Sequence, residues 1–292
     1  MTANGILLLD KPVGITSNAA LGRAKRALGI RKAGHTGTLD PMASGLLVLC
    51  FGEATKVSAF LLDADKAYRA EATLGQTTDS EDAEGEVVET RAVPQLTSAQ
   101  IEAVLAEFRG PIEQVPPMYS ALKHKGQRLH ELARQGKTVE RPPRPVTIHQ
   151  LDLLELDLPR LRLDVGCSKG TYIRSLVRDI GQALGCGAYL SALQRTRSAP
   201  FDLSDALSLE ALEALSADQA RARLLPPDRA LAHLPAIPVD ESGAARLRQG
   251  QRLAEQAQLA AGLVRVYADE TFLGIGETDG EGRLRVRRLF KN

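Results

Sequence analysis

Gly34-His35-Thr36-Gly37-Thr38-Leu39-Asp40-Pro41-Met42-Ala43-Ser44-Gly45-Leu46-Leu47-Val48-Leu49 is the stretch around which the rest of the chain is organised. It begins with small and hydrogen-bonding residues and passes a single carboxylate. It ends in an apolar run of the kind that forms a buried strand or helix. Gly34, Gly37 and Gly45 permit backbone angles and close approaches that a side chain would block. Such a loop sets Asp40 at the floor of a cleft, on the edge of a rigid element. We read Asp40 as a nucleophile.

Upstream, residues 5–9 read as a short buried strand closed by Asp10-Lys11-Pro12-Val13-Gly14. Thr16 or Ser17 can cap a helix running to about Leu28, with Gly29 just past its end. Arg23, Lys25 and Arg26 on that helix, then Arg31 and Lys32, lead a basic cluster into the loop, where it could hold phosphates beside the carboxylate. Downstream, residues 45–51 are continuously apolar, and Gly52 opens a helix to Leu61 or Leu62. Residues 66–74 alternate polar and apolar, a half-buried strand with Tyr68, Ala70 and Ala72 on one face. Residues 76–86 are acidic, small and without period, and are predicted to form an exposed loop.

Residues 98–109 make the clearest helix, with Thr97 and Gln100 as a capping box and Ile101, Val104, Leu105 and Phe108 as its stripe. It is scaffold. Residues 115–146 differ in kind: basic, proline-bounded and glycine-bearing, with a short helix predicted over 129–135, an excursion we read as a flap over the cleft. Strands resume at 146–155 and 160–165. Gly170-Thr171 starts a helix whose first turns carry Tyr172, Ile173 and Arg174, with Ile173, Leu176, Val177 and Ile180 as its stripe. Leu193 leads into the basic strand Gln194-Arg195-Thr196-Arg197-Ser198. An alanine-rich helix is predicted over 207–225, a proline-punctuated linker over 226–238, and short strands over the remainder. In the last of these Arg283, Arg285 and Arg287 face outward, a sensible contact for an RNA backbone.

With 292 residues, the chain suits one large domain and a small one. Its net charge of +1 hides an uneven distribution. Residues 61–108 carry three Lys/Arg against eleven Asp/Glu, whereas residues 109–145 carry eight against three and residues 281–292 five against one. Separate basic stretches are the footprint of a polyanion partner. The beginning of the chain has only a short apolar run and no basic leader, so we expect neither a signal peptide nor a membrane span, and a cytoplasmic location. Cys50, Cys167 and Cys186 lack CxxC spacing, and the five histidines are scattered, so neither a disulfide framework nor a metal site is expected. No phosphate-binding glycine loop follows a strand. What remains is a lone carboxylate, tyrosines able to stack on a base, and arginines. An arginine beside the aspartate keeps it ionised and orients it, and Arg174 is the one we pair with Asp40.

The block GHTGTLDPMASGLLVL, with LLLDKPVGITS upstream, resembles the hallmark region of the TruB family of tRNA pseudouridine synthases. KAYRAEATLGQTTDSEDAEG, PPMYSALKHKGQRLHELARQG, CSKGTYIRSLVRDIG and LQRTRSAPF match further blocks in the family's order, and FLGIGETDGEGRLRVRRLF resembles the PUA-like domain of bacterial members. The resemblance implies an α+β fold: a pseudouridine synthase core with a mixed, largely antiparallel sheet and flanking helices, plus a small C-terminal all-β PUA-like domain. It implies a catalytic domain over 1–235, with an RNA-clamping thumb at about 115–146, and an RNA-binding domain over 236–292.

The activity implied is isomerisation of uridine 55 in the T-loop of tRNA to pseudouridine, on a base flipped out of the loop. Asp40 is then the nucleophile and Arg174 its partner. Tyr68 stacks on the uracil and is the candidate C5 proton acceptor, Tyr172 is a second pocket tyrosine, and Leu193 packs the base. His35 takes the flipped base's place in the RNA. Lys11, Lys123, Lys125 and Arg195 are added as expected substrate-binding residues. No cofactor and no metal are implied; the expected partner is the tRNA T-stem-loop, with no membrane and a monomeric protein. Sequence leaves open whether Asp40 adds to ribose or to uracil. It also leaves open a catalytically inactive tRNA-binding protein or folding chaperone of the same fold.

Overall fold

The protein's structure, a computed structural model, describes residues 4–120, 122–124, 126–254, 260–279 and 281–291. Lys125, one of the expected substrate-binding residues, lies outside them. Among the described residues the main sheet has ten strands. Its path runs Leu207–Ser208, Gly5–Lys11, Ala43–Phe51, Ala188–Ser198, Lys66–Leu74, Arg160–Cys167, Arg144–Asp157, Gly110–Gln114. Ala33–His35 pairs beside Ala43–Phe51, and Phe201–Asp202 beside Ala188–Ser198. Pairing is antiparallel except at the Leu207–Ser208 edge and where Leu193, Gln194 and Arg195 run parallel to Ala43, Ser44 and Gly45. That three-residue parallel seam joins the strand leaving the Asp40 loop to the strand carrying Leu193 and Arg195.

Burial explains the two kinds of strand. Ala43–Phe51 is continuously apolar because both of its faces are covered. On one, Ala20, Ala24 and Leu28 of the Ser17–Leu28 helix pack on Leu7, Leu9, Leu47 and Leu49. On the other, Ala54, Val57 and Leu61 pack on Ile6, Leu8, Leu46 and Val48. Lys66–Leu74 and Arg160–Cys167 alternate because helices cover one face alone. There Ala70, Ala72, Leu161 and Leu163 meet Ile173, Leu176, Val177 and Ile180 of the Ile173–Ala183 helix, with Ile101 and Leu105 of the Ser98–Glu107 helix. Caps fix the ends: Thr16 accepts from the Ala19 amide, Gly29 closes the same helix at φ 66°, and Thr97 and Gln100 form a reciprocal capping box.

Four predicted segments differ from the structure. Residues 76–86 are no free loop: Gln76–Thr78 pairs with Val87–Thr90, and Ser80 and Asp82 are buried. Acidic composition signals water only when the carboxylates lack protein partners, and here they have them. The segment opened by Gly52 starts as a 3-10 turn, Gly52–Val57, before becoming α-helical over Ser58–Asp63. The helix expected over 207–225 is two short ones, Leu209–Glu213 and Ala217–Arg221, because Ser208 and Ser216 each cap a new start. The expected linker is packed rather than free, since Ala230 and Leu231 of the Pro227–Leu231 turn join the core.

The C-terminal sheet runs Ala236–Val239, Gly262–Ala268, Thr271–Thr278, Leu284–Leu289. A helix, Glu241–Arg248, lies with it, capped by Asp240 and burying only Gly243, Ala244 and Leu247, too weak an apolar stripe to stand out in the sequence. Arg285 and Arg287 are exposed but share one carboxylate, Glu277, at 2.7 and 3.2 Å. Ile275, Phe272 and Phe290 pack into the main core, and Lys56 donates to the Leu289 carbonyl at 2.6 Å. No helix among the described residues is long and apolar enough to cross a membrane.

The parallel seam depends on Gly45. Its φ is 99°, and a Cβ there would lie 2.4 Å from the Arg195 carbonyl oxygen. No rotamer relieves a clash with backbone, so Gly45→Ala should cost at least about 2 kcal/mol. Urea unfolding of the variant against wild type checks this; an unchanged midpoint would show that the seam relaxes freely.

Candidate active site

Asp40 is presented by backbone tethers on both sides. The Ser17 hydroxyl, in the first turn of its helix, accepts from the Leu39 amide at 2.8 Å and donates to the Leu39 carbonyl at 3.0 Å. The Pro41 carbonyl accepts from the Gly14 amide at 2.8 Å, and the Asp40 carbonyl from the Ala43 amide at 3.1 Å. Beneath the loop Arg195 is buried, with Nε donating to the Leu46 carbonyl at 2.7 Å and Nη2 to the Gly37 carbonyl at 3.1 Å. Lys11 is buried as well, its Nζ 2.8 Å from each of the Pro12 and Ile15 carbonyls. The donors of Lys11 and Arg195, two of the expected substrate-binding residues, thus meet carbonyls of the loop itself.

Arg174 emerges from the first turn of the Ile173–Ala183 helix and is 6% exposed. Its Nη2 lies 3.0 Å from Asp40 Oδ2 and donates to the Tyr119 carbonyl at 2.8 Å. Its Nη1 lies 3.4 Å from Asp82 Oδ2 and donates to the Ser80 carbonyl at 3.1 Å. Asp82 is itself buried, its Oδ1 accepting from the Ser80 hydroxyl at 2.6 Å and the Glu84 amide at 3.0 Å. The guanidinium is thus a bridge between two carboxylates, of which Asp40 alone, its side chain 38% exposed, opens to the cleft. Burial pushes the Asp40 carboxyl above its ordinary value. Arg174 opposes that shift, Asp82 adds to it and Lys11 opposes it, leaving the net direction upward.

The walls come from neighbouring strands. Tyr68 stands in register between Val165 and Arg195, and burial raises its phenol while the Arg195 charge opposes the shift. Leu193, half-buried, lies opposite Ala43 on one side and Ala70 on the other. Tyr172 is the residue before the helix, pinned by its amide donating to Gln114 Oε1 at 2.8 Å and its carbonyl accepting from Gln114 Nε2 at 3.1 Å. Burial raises its phenol too. His35 is half-buried with Nδ1 lacking a hydrogen-bond partner among the described residues. Burial, then the Arg195 charge, holds its imidazole below the ordinary range, which keeps it neutral at pH 7. Lys123 is exposed on the small hairpin formed with Gln127–Arg128.

The arrangement offers one part-exposed carboxylate, aimed by a buried cation, with two tyrosines and a leucine on the adjoining strands and helix start. Residues 25–173 match the model described as "TruB family pseudouridylate synthase (N terminal domain)". Residues 174–232 and 235–290 match two C-terminal models of the same family. The chain belongs to the TruB family. It is 54% identical over 288 residues to tRNA pseudouridine synthase B of Chromohalobacter salexigens, covering 98% of this chain and 94% of that one. It is 55% identical over 287 residues to the protein of the same name from Thiobacillus denitrificans, covering 98% and 95%. Among solved structures it resembles a chain of a Cbf5-Nop10-Gar1 complex, with TM-score 0.73 and 30% identity over 95% of this chain and 79% of that chain. It also resembles a chain of an H/ACA RNP bound to a substrate RNA containing 2'-deoxyuridine, with TM-score 0.73 and 27% identity over 99% and 85%.

Sequence reasoning missed Asp82, Ser17 and Gln114 in this TruB-family site. Asp82 sits in the acidic run that read as solvent-exposed; the one available signal was Ser80 two residues before it, which can close a local turn onto the carboxylate. Ser17 read only as a possible cap, and Gln114 lay at an unremarked strand end. The negative charge of Asp82 adds to the upward shift of the Asp40 carboxyl. Carbon-13 NMR titration of wild type should place the Asp40 midpoint above that of an exposed aspartate. In Asp82→Asn the midpoint should move to lower pH, since a like charge is gone and Arg174 is left to Asp40 alone. A midpoint that stays or rises would show that Asp82 acts on Asp40 by packing only.

Proposed function

We propose that this chain is a tRNA pseudouridine synthase that isomerises uridine 55 of the T-loop, with Asp40 as its nucleophile. The observation that carries the reading is the Asp40 carboxylate held 3.0 Å from buried Arg174, with Tyr68 and Leu193 on the strands beside its loop and Tyr172 just before the Arg174 helix. The isomerisation breaks the N1–C1′ bond of the nucleotide, turns the uracil and joins C5 to C1′. C5 loses a proton and N1 regains one, so atoms and electrons balance with no oxidant or energy source. What the reaction needs is an anion at the sugar or base, a base for the C5 proton and a dry pocket that retains the free uracil.

The residues divide accordingly. Tyr68 stacks on the flipped uracil, and its half-buried phenol is the candidate acceptor of the C5 proton. Tyr172 and Leu193 close the pocket around the base. Neutral His35, at the rim of the loop, takes the place in the T-loop that the flipped base leaves. Lys11 and Arg195 act at one remove, fixing the loop that aims Asp40. Lys123 and Lys125 on the basic thumb at about 115–146 hold RNA phosphates, and residues 236–292 serve as a PUA-like RNA-binding domain attached to the catalytic domain 1–235. The protein acts as a monomer in the cytoplasm.

A T-arm stem-loop tritiated at uracil C5 tests the reading. Wild type should release tritium, and Asp40→Asn should reduce single-turnover release by at least about 10⁴-fold. Absence of release from wild type would leave a tRNA-binding or chaperone function of the same fold; equal release from the variant would remove Asp40 as nucleophile. Phosphate contacts should make tRNA affinity fall linearly on a log–log plot against salt. Lys123→Glu should weaken binding and flatten that slope without changing the single-turnover rate at saturating enzyme; filter binding and rapid quench measure the two.

A further inference from the structure

Glu81 is the residue in the acidic segment that the mechanism does not use, and it is oddly placed. Its φ is 67°, in the left-handed region that glycine favours and a glutamate rarely adopts. Such backbone persists only where surrounding contacts hold it. Here they are explicit. The Glu81 carboxylate is nearly buried, with Oε2 accepting from the Ser175 hydroxyl at 2.8 Å and Oε1 ion-paired with Arg178 Nη1. Its amide donates to the Thr78 carbonyl at 3.2 Å and its carbonyl accepts from the Leu190 amide at 3.1 Å.

Arg178 follows Arg174 by one helical turn and makes partly parallel contacts, with its Nε also donating to the neighbouring Asp179 at 2.8 Å. Arg174 holds Asp82 and donates to the Tyr119 carbonyl; Arg178 holds Glu81 and donates through Nη2 to the Val115 carbonyl at 3.2 Å. Each therefore ties the acidic segment to the root of the basic thumb across one helix. Tyr119 closes the circuit from the other side, its hydroxyl 3.1 Å from Asp79 Oδ2. Glu81 and Asp82 are adjacent, so the backbone angle at Glu81 bears on the direction of the Asp82 carboxylate, together with the bonds it accepts from the Ser80 hydroxyl and the Glu84 amide.

We propose that the Arg178–Glu81 pair is a positioning device for catalysis. It holds Glu81 left-handed so that Asp82 meets Arg174, and through Arg174 it aims Asp40, while Val115 carries the same constraint to the thumb. The proposal rests on the synthase reading above. Its mark is a loss of turnover without a matching loss of tRNA binding, because both side chains are taken up by protein partners.

The test is a double-mutant cycle of Glu81→Gln, Arg178→Gln and both together, with single-turnover pseudouridine formation and tRNA Kd measured for each. Each single variant should slow the chemical step roughly tenfold with Kd within about twofold, and the double should be no slower than the worse single, as coupled residues behave. Glu81→Gly separates the angle from the grip, since glycine takes the left-handed conformation freely but lacks the carboxylate; it should be faster than Glu81→Gln, and a glycine variant as slow as Glu81→Gln would overturn the part played by the angle. Arg178→Lys, which keeps the charge, should recover part of the rate and stands in if either glutamine variant fails to fold. Unchanged rates, independent losses that multiply in the double, or a rise in Kd that accounts for the whole effect would each overturn the proposal. Wild type forming no pseudouridine would instead sink the synthase reading, so the two failures are distinguishable.

Discussion

A guanidinium taken out of water must be compensated by every group around it, and Arg174 is compensated by four. Two carboxylates and two backbone carbonyls meet its donors, from three separate parts of the chain. Breaking a buried pair by removing one partner typically costs about 3–5 kcal/mol, because a charge is left without its counterpart. The helix start, the acidic segment, the thumb root and the Asp40 loop are therefore placed relative to one another by a single side chain. That constraint also sets the chemistry. Asp40 is the more exposed of its two carboxylate partners, so the cation that ties these segments together also orients that carboxylate.

The loop around Asp40 is held by a different means. Ser17, Arg195 and Lys11 grip carbonyls and amides rather than side chains, and the Gly45 seam brings two backbones into a contact that a methyl group would prevent. Backbone tethers leave the side chains of the loop free to face the pocket. Lys11 and Arg195 lie within this frame, and the Lys11 charge works against the upward shift of the Asp40 carboxyl.

Much of this was legible in the residues. Strand and helix periods located most elements because burial on one or both faces dictates composition, as in the alternating Lys66–Leu74 and the continuous Ala43–Phe51. Thr16, Gly29 and Thr97 announced helix ends because their capping groups are local. Asp40 and Arg174 stood out in the same way, as a carboxylate in a glycine-rich loop and an arginine at a helix start. What was illegible is whatever depends on a partner distant in sequence. Asp82 and Glu81 read as solvated because their cations sit about ninety residues away, at Arg174 and Arg178. The burial of Lys11 and Arg195 was equally illegible, because sequence cannot tell a buried cation from an exposed one. Residues 207–225 read as one helix because alanine content outweighed two serine caps.

Glu277 bears on how the C-terminal sheet would meet RNA. Arg285 and Arg287 project to solvent, yet both already hold that one carboxylate. A phosphate arriving there would not find two idle cations; it would have to take the place of Glu277. Engagement then becomes an exchange of one anion for another, releasing fewer salt ions than the arginine count implies. Such a surface is slow to hold any passing polyanion and favours one whose phosphates are already fixed elsewhere on the protein. The glutamate beside the arginines thus sets what any anion must displace to reach them.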